Sequence, residues 1–118
     1  MQKIAIVVLA DTESHGDLGR VVNALEVVKE SQDAGDTVAL VFDGAGTKWI
    51  PTLDDPSHKR HALWSAVKGS VAGACAYCSV AFGARDGVKA AGVALLDQYD
   101  DHPSLRGYVA QGYTVLTF

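Results

Sequence analysis

Two unbroken runs of β-branched and other apolar residues constrain the fold of this chain more than any other feature. The runs cover Lys3–Ala10 and Thr37–Phe42. Neither shows the alternation of apolar and polar residues that is typical of a half-exposed strand. Continuous apolar strands are typical of parallel sheets whose two faces are both covered by helices. The sequence therefore predicts two central strands of a layered α/β domain.

The segment between these strands has the pattern of an amphipathic helix. Its apolar residues recur at helical spacing, with polar residues on the other face: Leu18, Val21, Val22, Leu25 and Val28. Ser14 with Asp17 three residues later predicts a capping pair at the helix start, and Gly35 suits a left-handed residue at its end. A complete strand–helix–strand unit is predicted.

The rest of the chain continues the alternation. A helix is predicted from Pro56, with Asp55 as its cap, to Gly69, and it should turn Ala62, Leu63, Ala66 and Val67 inward. There follow a strand over 70–74, short helices from about Ser79 and over 87–91, a strand over 93–96, a helix from Pro103 to Gly112 and a strand over 113–118. Five strands alternating with helices predict a three-layer α/β/α sandwich with a mainly parallel five-stranded sheet. The 118 residues fit one domain, 1–118.

Charge and composition exclude several classes of partner. The net charge is −4, and the Lys and Arg residues are scattered, so we expect neither nucleic acid nor an anionic membrane surface as a partner. The apolar runs are far shorter than the roughly 18 residues of a membrane helix. The opening segment MQKIAIVVLA leads into DTESHGD and not into a cleavage site. With two cysteines and no export signal, a soluble cytoplasmic protein is expected.

Four loops are predicted to meet at one edge of the sheet. Their sequences are DTESHGD (11–17), DGAGTKW (43–49), CAYCS (75–79) and DQYDDHP (97–103). Each follows a strand, and ligands of parallel α/β sheets bind outside the carboxyl ends of the strands. A functional site is therefore expected among these loops.

Cys75 is the candidate nucleophile of this edge. It falls where the third strand ends and the next helix begins, so a backbone dipole and free N–H groups could favour its thiolate. The alternative is packing, because cysteine behaves as a small hydrophobe and Ala74 and Ala76 flank it. Both interpretations remain open from the sequence.

The Cys75–Cys78 spacing is also that of a dithiol redox pair or of half a zinc site. Thioredoxin-type pairs follow an early strand and precede a long helix, which does not match this position. A tetrahedral zinc site needs two more ligands, and the sequence nearby offers no second C-x-x-C and no fitting His pair. No metal is predicted. A transient Cys75–Cys78 disulfide under oxidation stays open.

The four histidines have different settings. His58 and His61 are three residues apart on a predicted helix near acidic residues, where a solvated face is favoured over a metal site. His15 and His102 lie in the edge loops, and each could move a proton or serve as a cap or surface residue.

The loop DGAGTKW resembles a phosphate cradle only loosely. It lacks the third glycine of a dinucleotide fingerprint and the lysine–hydroxyl ending of a P-loop. A turn is favoured, with Trp49 packed against the following helix. No nucleotide cofactor is predicted.

The element order and the position of Cys75 resemble the DsrE-like family. The matching segments are KIAIVV, RVVNALEVVKESQDAGDTVALVFDGAG, ACAYCSVAFGA and GYTVLTF, and the likeness spans nearly all 118 residues. The resemblance implies a domain that assembles into oligomers, often trimers or hexamers. It also implies that Cys75 accepts sulfane sulfur as a persulfide and passes it to the next carrier. Cys78 and the long segment Thr47–His61 depart from the pattern and look more like a stand-alone branch than a dedicated relay subunit.

Two functions are thus predicted. The first is a sulfurtransferase-like persulfide carrier that uses no metal or organic cofactor, has sulfur donor and acceptor proteins as partners, and forms a homo-oligomer, a trimer or hexamer. Its catalytic residues would be Cys75 and Cys78, and its substrate-binding residues Asp11, His15, Tyr77 and Ser79. The second is a non-catalytic oligomeric module that binds a small ligand or a partner protein at the carboxyl edge. Burial of Cys75 separates them, because a reactive thiol needs an opening.

Overall fold

The two apolar runs form neighbouring central strands of a parallel sheet. The computed structural model describes residues 1–118. Its strands are β1 (Lys3–Val8), β2 (Thr37–Phe42), β3 (Val71–Cys75), β4 (Leu95–Leu96) and β5 (Thr114–Thr117). They are arranged in the order β4-β3-β2-β1-β5, and every neighbouring pair is parallel. The predicted five-stranded α/β architecture is confirmed.

Six α-helices connect the strands. They are α1 (His15–Asp33), α2 (Trp49–Asp54), α3 (His61–Val67), α4 (Ala76–Ala81), α5 (Arg85–Ala90) and α6 (Leu105–Ala110), with 3-10 turns at Gly44–Lys48 and Lys68–Ser70. The predicted capping pair is confirmed, since Ser14 Oγ accepts from the Asp17 N–H at 3.1 Å and Asp17 accepts from the Ser14 N–H at 3.2 Å. None of these helices combines the length and apolar character needed to cross a membrane.

The strand order places the helices in two layers. Because parallel crossovers are right-handed, the steps from β1 through β2 and β3 to β4 put α1–α5 on one face. The connection from β4 to β5 runs in the opposite direction across the sheet, so it puts α6 on the other face. The main core lies under the first layer, where 18 buried residues form one cluster. Phe42 and Trp64 meet there edge to face, with ring centroids 5.7 Å apart.

The predicted helix from Pro56 to Gly69 is wrong in its first part. Residues 55–60 are turns, and helix α3 begins only at His61. Asp55 is not a helix cap, because its Oδ1 instead accepts the Ser57 N–H at 2.9 Å and the Ser57 hydroxyl at 2.8 Å, as in an Asx turn. Later in the segment Trp64 takes the buried position at the core. That orientation leaves Ala62 and Ala66 exposed.

An extra residue shifts the third strand at the point that leads to Cys75. Val71 pairs with Leu40 but Gly73 pairs with Val41, so Ala72 is bulged. Bulges bend a strand and re-aim the side chains that follow. A Cβ at Gly73 would lie 2.6 Å from Leu96 Cγ, so glycine permits the close approach of β4. Strand β3 ends at Cys75, one residue later than predicted. Helix α4 begins at Ala76 and not near Ser79.

Candidate functional site

Four side chains with reactive or ligating atoms meet at the carboxyl edge of the sheet. They are Asp43 after β2, Cys75 and Cys78 at the start of α4, and His102 after β4. One such atom from each residue lies within 4.8 Å of those of the other three. The sequence predicts His102 in an edge loop but does not connect it to the thiols, and it does not single out Asp43 as a site residue. The available signal for Asp43 was its position as the first residue after β2, the strand beside β3.

Cys75 has three polar contacts. Its Sγ lies 3.2 Å from Nδ1 of His102 and 3.7 Å from the main-chain carbonyl oxygen of Asp101. The backbone N–H of Cys78 donates to the same sulfur at 3.3 Å, so Cys75 caps helix α4 with its own side chain. The sulfur therefore has a hydrogen-bond acceptor, the Asp101 carbonyl, and a donor, the Cys78 N–H, beside it, and the role of His102 Nδ1 is set by its tautomer.

Burial dominates the acidity of Cys75. The residue is 0% exposed, and this burial raises the pKa of the thiol to about 12, with the nearby negative charge of Asp43 acting in the same direction and the Cys78 N–H opposing them. The thiol accordingly keeps its proton at neutral pH in this conformation. By the criterion of burial this result favours packing of Cys75, whereas its polar contacts favour chemistry.

Asp43 is held at the site by the turn that it begins. Its Oδ1 accepts the Gly44 N–H at 2.9 Å, and the Cys78 thiol donates to that oxygen at 3.5 Å. The turn lies tightly on the end of β1, because a Cβ at Gly46 would overlap the carbonyl oxygen of Val8. Glycine at position 46 thus lets the turn bring the Asp43 carboxylate to the two thiols.

His102 is presented by a tight turn of unusual backbone conformation. Tyr99 and His102 exchange two backbone hydrogen bonds of 2.9 and 2.8 Å. Between them Asp100 and Asp101 have φ values of 49° and 64°, as in a type I′ turn. The Tyr77 N–H donates to the Asp101 carbonyl at 2.9 Å, and the Tyr77 ring lies 5.1 Å from the His102 ring. The turn is therefore bound directly to the start of α4.

A depression of about 520 Å³ lies beside this cluster. Its wall is mainly apolar, with Arg85, Asp97 and Asp101 as charged members. Its residues Tyr77 and Val80 are 58% and 63% exposed. Asp101 belongs both to this wall and to the surroundings of Cys75. The depression is thus separated from the buried sulfur by the Tyr99–His102 turn and Tyr77.

The structure does not bring Asp11 and His15 into the cluster. Asp11 forms an ion pair with Lys48 at 2.6 Å, and that hydrogen-bonded pair lowers the pKa of the Asp11 carboxyl. His15 is exposed at the start of α1 and borders a different depression, together with Trp49. Trp49 itself lies in α2, and its Nε1–H donates to the carbonyls of Ala10 and Asp11, both at 3.0 Å.

Tyr77 and Ser79, also predicted to bind substrate, lie next to the thiols but differ in access. Tyr77 is exposed and lines the depression. Ser79 is fully buried, does not line the depression, and its Oγ has no hydrogen-bond partner. A substrate contact by Ser79 would therefore require α4 to move.

The His58–His61 pair is occupied with local hydrogen bonds. His61 Nδ1 lies 2.8 Å from the Leu53 carbonyl oxygen, and its Nε2 lies 3.3 Å from Ser65 Oγ. His58 Nδ1 accepts the Arg60 N–H at 3.0 Å. Both residues are half-buried and His58 lies in the turn before α3, so the two do not share the predicted solvated helix face.

Comparison with known proteins places the fold but not the activity. No family model matches the chain, and no curated protein matches it. Among solved structures it is similar to a conserved protein of unknown function, BT1422 from Bacteroides thetaiotaomicron, with a TM-score of 0.64 and 15% identity. The likeness covers 97% of this chain and 94% of that chain. At this identity the comparison shows a shared fold alone, and any function must be argued from the site.

Proposed function

We propose that the protein is a persulfide carrier that accepts sulfane sulfur on Cys75. The observation that carries this proposal is the 3.2 Å contact between Cys75 Sγ and His102 Nδ1. A thiol paired with an imidazole is the arrangement that activates cysteine nucleophiles. The Cys78 N–H bond to the same sulfur would stabilise negative charge as it develops there. The resemblance to the DsrE-like family supports the same assignment.

The chemistry begins with removal of the Cys75 proton. Because burial holds the thiol in its neutral form, Sγ transfers its proton to His102 Nδ1 as a donor persulfide, R–S–SH, approaches. The Cys75 sulfur attacks the terminal sulfur of the donor, forming one S–S bond and breaking the donor's S–S bond. The donor leaves as R–S⁻ and takes the proton from the imidazolium, which restores neutral His102. A second exchange passes the sulfur to an acceptor thiolate.

The buried resting position calls for a gate. We assign the gate to the Tyr99–His102 turn, because the Asp101 carbonyl and the His102 ring both contact Cys75 and Asp101 also lines the depression. A donor bound in the depression would reach Cys75 when the Tyr77 ring and the Asp101 side of the turn move aside while His102 stays on the sulfur. When the turn closes again, the persulfide is shielded from water and oxidants.

The proposal is tested by incubating the protein with glutathione persulfide and measuring intact mass. We expect the parent protein and a Cys78→Ser variant to gain one sulfur atom per chain, and a Cys75→Ser variant to gain none. A His102→Gln variant should gain sulfur more slowly. Equal gain by the Cys75→Ser variant would remove the basis of the proposal.

A second candidate function is the binding of a partner or small ligand in the depression without chemistry. The exposed Tyr77 and Val80 side chains favour it, since exposed apolar residues around a concave wall are typical of binding sites. For this function, Val80→Asp should weaken binding while Cys75→Ala leaves the affinity unchanged. Loss of binding in Cys75→Ala would favour the carrier instead.

The resemblance to the DsrE-like family also leads us to propose a homo-oligomer, a trimer or hexamer. Edge strand β5 has Leu116 37% exposed, and an uncovered strand edge with apolar residues is suited to contact with another chain. Sedimentation velocity tests this, and a monomer at all concentrations would contradict it.

A further inference from the structure

We propose that Asp43, Cys75, Cys78 and His102 form a four-ligand site for a divalent cation of borderline softness such as Zn²⁺. The sequence showed only the two thiols of a C-x-x-C pair, which is half of such a site. The fold adds a carboxylate from the end of β2 and an imidazole from the loop after β4. This inference goes beyond sulfur transfer and does not depend on it.

The spacing of the four ligating atoms fits a tetrahedral shell. With Zn–S bonds of about 2.3 Å and Zn–N or Zn–O bonds of about 2.0–2.1 Å, the edges between ligands measure about 3.3–3.8 Å. Cys75 Sγ and His102 Nδ1 are 3.2 Å apart, and Cys78 Sγ and Asp43 Oδ1 are 3.5 Å apart. The remaining separations are at most 4.8 Å. Small side-chain movements therefore suffice to close the shell.

The ligand types select the class of metal. Thiolates and imidazole favour Zn²⁺ and related ions over Mg²⁺ or Ca²⁺, which prefer oxygen ligands. The Cys78 N–H bond to Cys75 Sγ is the kind of surrounding hydrogen bond that orients and supports a ligating atom. His102 presents Nδ1 to the cluster and is held by the two backbone bonds of its turn, so its ring is already oriented for binding.

The cluster also lacks a positive charge. It gathers a carboxylate and two ionisable thiols, yet none of the protein's five ion pairs involves Asp43. Asp43 is hydrogen-bonded to the Gly44 N–H, and a divalent ion would add the positive charge that no Lys or Arg supplies to it. With four protein ligands the shell has no open position, which is typical of a structural or regulatory site and not of a catalytic one.

Metal binding and sulfur transfer would exclude each other. A Zn²⁺ ion bound to Cys75 draws electron density from the sulfur and so weakens it as a nucleophile toward a donor. We therefore expect Zn²⁺ to block sulfur uptake, while the metal-free protein remains competent.

The test is titration of the metal-free full chain with Co²⁺ and then Zn²⁺. We expect one Co²⁺ per chain, with thiolate charge-transfer and strong tetrahedral d–d absorption, and its displacement by one Zn²⁺. Cys78→Ser should weaken the charge-transfer band, and Asp43→Asn and His102→Gln should each lower Zn²⁺ affinity at least tenfold. His58→Gln, outside the cluster, is the matched control and should bind like the parent. Circular dichroism establishes that each variant is folded.

The proposed metal site would be wrong if the parent protein showed no thiolate–cobalt absorption, or if it bound a number of ions other than one per chain. It would also be wrong if Asp43→Asn and His102→Gln both left the Zn²⁺ affinity unchanged. The last would mean that the dithiol alone chelates the ion. Asp43→Asn also separates the two proposals, because it lacks a metal ligand but keeps Cys75 and His102. If the metal site fails and this variant still gains sulfur, the carrier proposal stands. If the parent binds Zn²⁺ but gains no sulfur when metal-free, the metal site stands alone.

Discussion

Burial of the Cys75 thiol leads us to predict that this thiol reacts slowly with alkylating agents. In the metal-free protein, iodoacetamide should modify Cys75 far more slowly than it does in the unfolded chain. The physical reason is that alkylation requires the thiolate, and burial raises the pKa of this thiol to about 12 from an ordinary 9.0.

The size of the effect follows from this change in pKa. Each pH unit is a factor of ten in thiolate population, so the folded protein at neutral pH has on the order of 10³-fold fewer Cys75 thiolates than the unfolded chain. Restricted access in the folded state can only slow the reaction further. The rate should continue to rise tenfold per pH unit up to about pH 10, without a plateau.

The assay is peptide-resolved mass spectrometry of timed alkylation, with a chelator present, over about pH 7 to 10. Cys75 in the same chain under denaturing conditions is the reference, and Cys78 in the folded chain is an internal comparison, since its side chain is 9% exposed. A plateau in the Cys75 rate below about pH 8 would refute the reasoning. It would mean that a thiolate–imidazolium pair with His102 outweighs burial.

Other substitutions test the energetics around the site by urea unfolding. Folding raises the pKa of Cys75 to about 12 from 9.0, so the unfolded chain loses this proton first as the pH rises. The contribution of Cys75 to the free energy of unfolding should therefore be full below pH 9.0 and fall as the pH approaches 12. A Cys75→Ser variant should not show this pH dependence. Ser79→Ala removes a buried hydroxyl without a partner and should be neutral or stabilise by about 1 kcal/mol; a loss above about 1 kcal/mol would contradict this. Gly46→Ala should destabilise the protein by about 1–3 kcal/mol, because the new methyl group would overlap Val8. Gly19→Ala, which places its methyl group in open space within α1, should stabilise the protein by about 0.5–1 kcal/mol. Equal effects of the two substitutions would show that the overlap is relieved without cost.

The sequence predicts the elements best where the signals are local and agree with each other. Strand β2 has the bounds expected of it, Thr37–Phe42, and the Ser14 cap was predictable because both members of the capping box lie within four residues. Prediction failed over 55–60, where the pattern of a helical Pro start is shared by an Asx turn. The sequence alone does not distinguish the two, and in the structure Asp55 accepts hydrogen bonds from Ser57.

Of the four residues of the site, only the two cysteines could be predicted from the sequence to lie together. Cys75 and Cys78 are three residues apart, but His102 lies 27 residues from Cys75 and Asp43 lies 35 from Cys78. Their meeting depends on β2, β3 and β4 being adjacent in the sheet, and hydrophobic periodicity specifies strands without specifying their order. The turn that presents His102 was equally hidden, because an Asp-Asp pair does not by itself indicate two left-handed residues.

The departures from ordinary folding rules concentrate around the two thiols. The non-glycine residues with positive φ are Asp100 and Asp101, and such residues cost on the order of 1–3 kcal/mol each. The register shift of the sheet lies in β3, and the buried polar atom without a partner is Ser79 Oγ. A chain that needed Cys75 only as a small core residue could fill that position with alanine and would have no reason to retain a strained turn beside it. Unfavourable local features that cluster at one edge of an otherwise regular fold are typical of functional sites. Their position around the two thiols favours chemistry at Cys75 over packing.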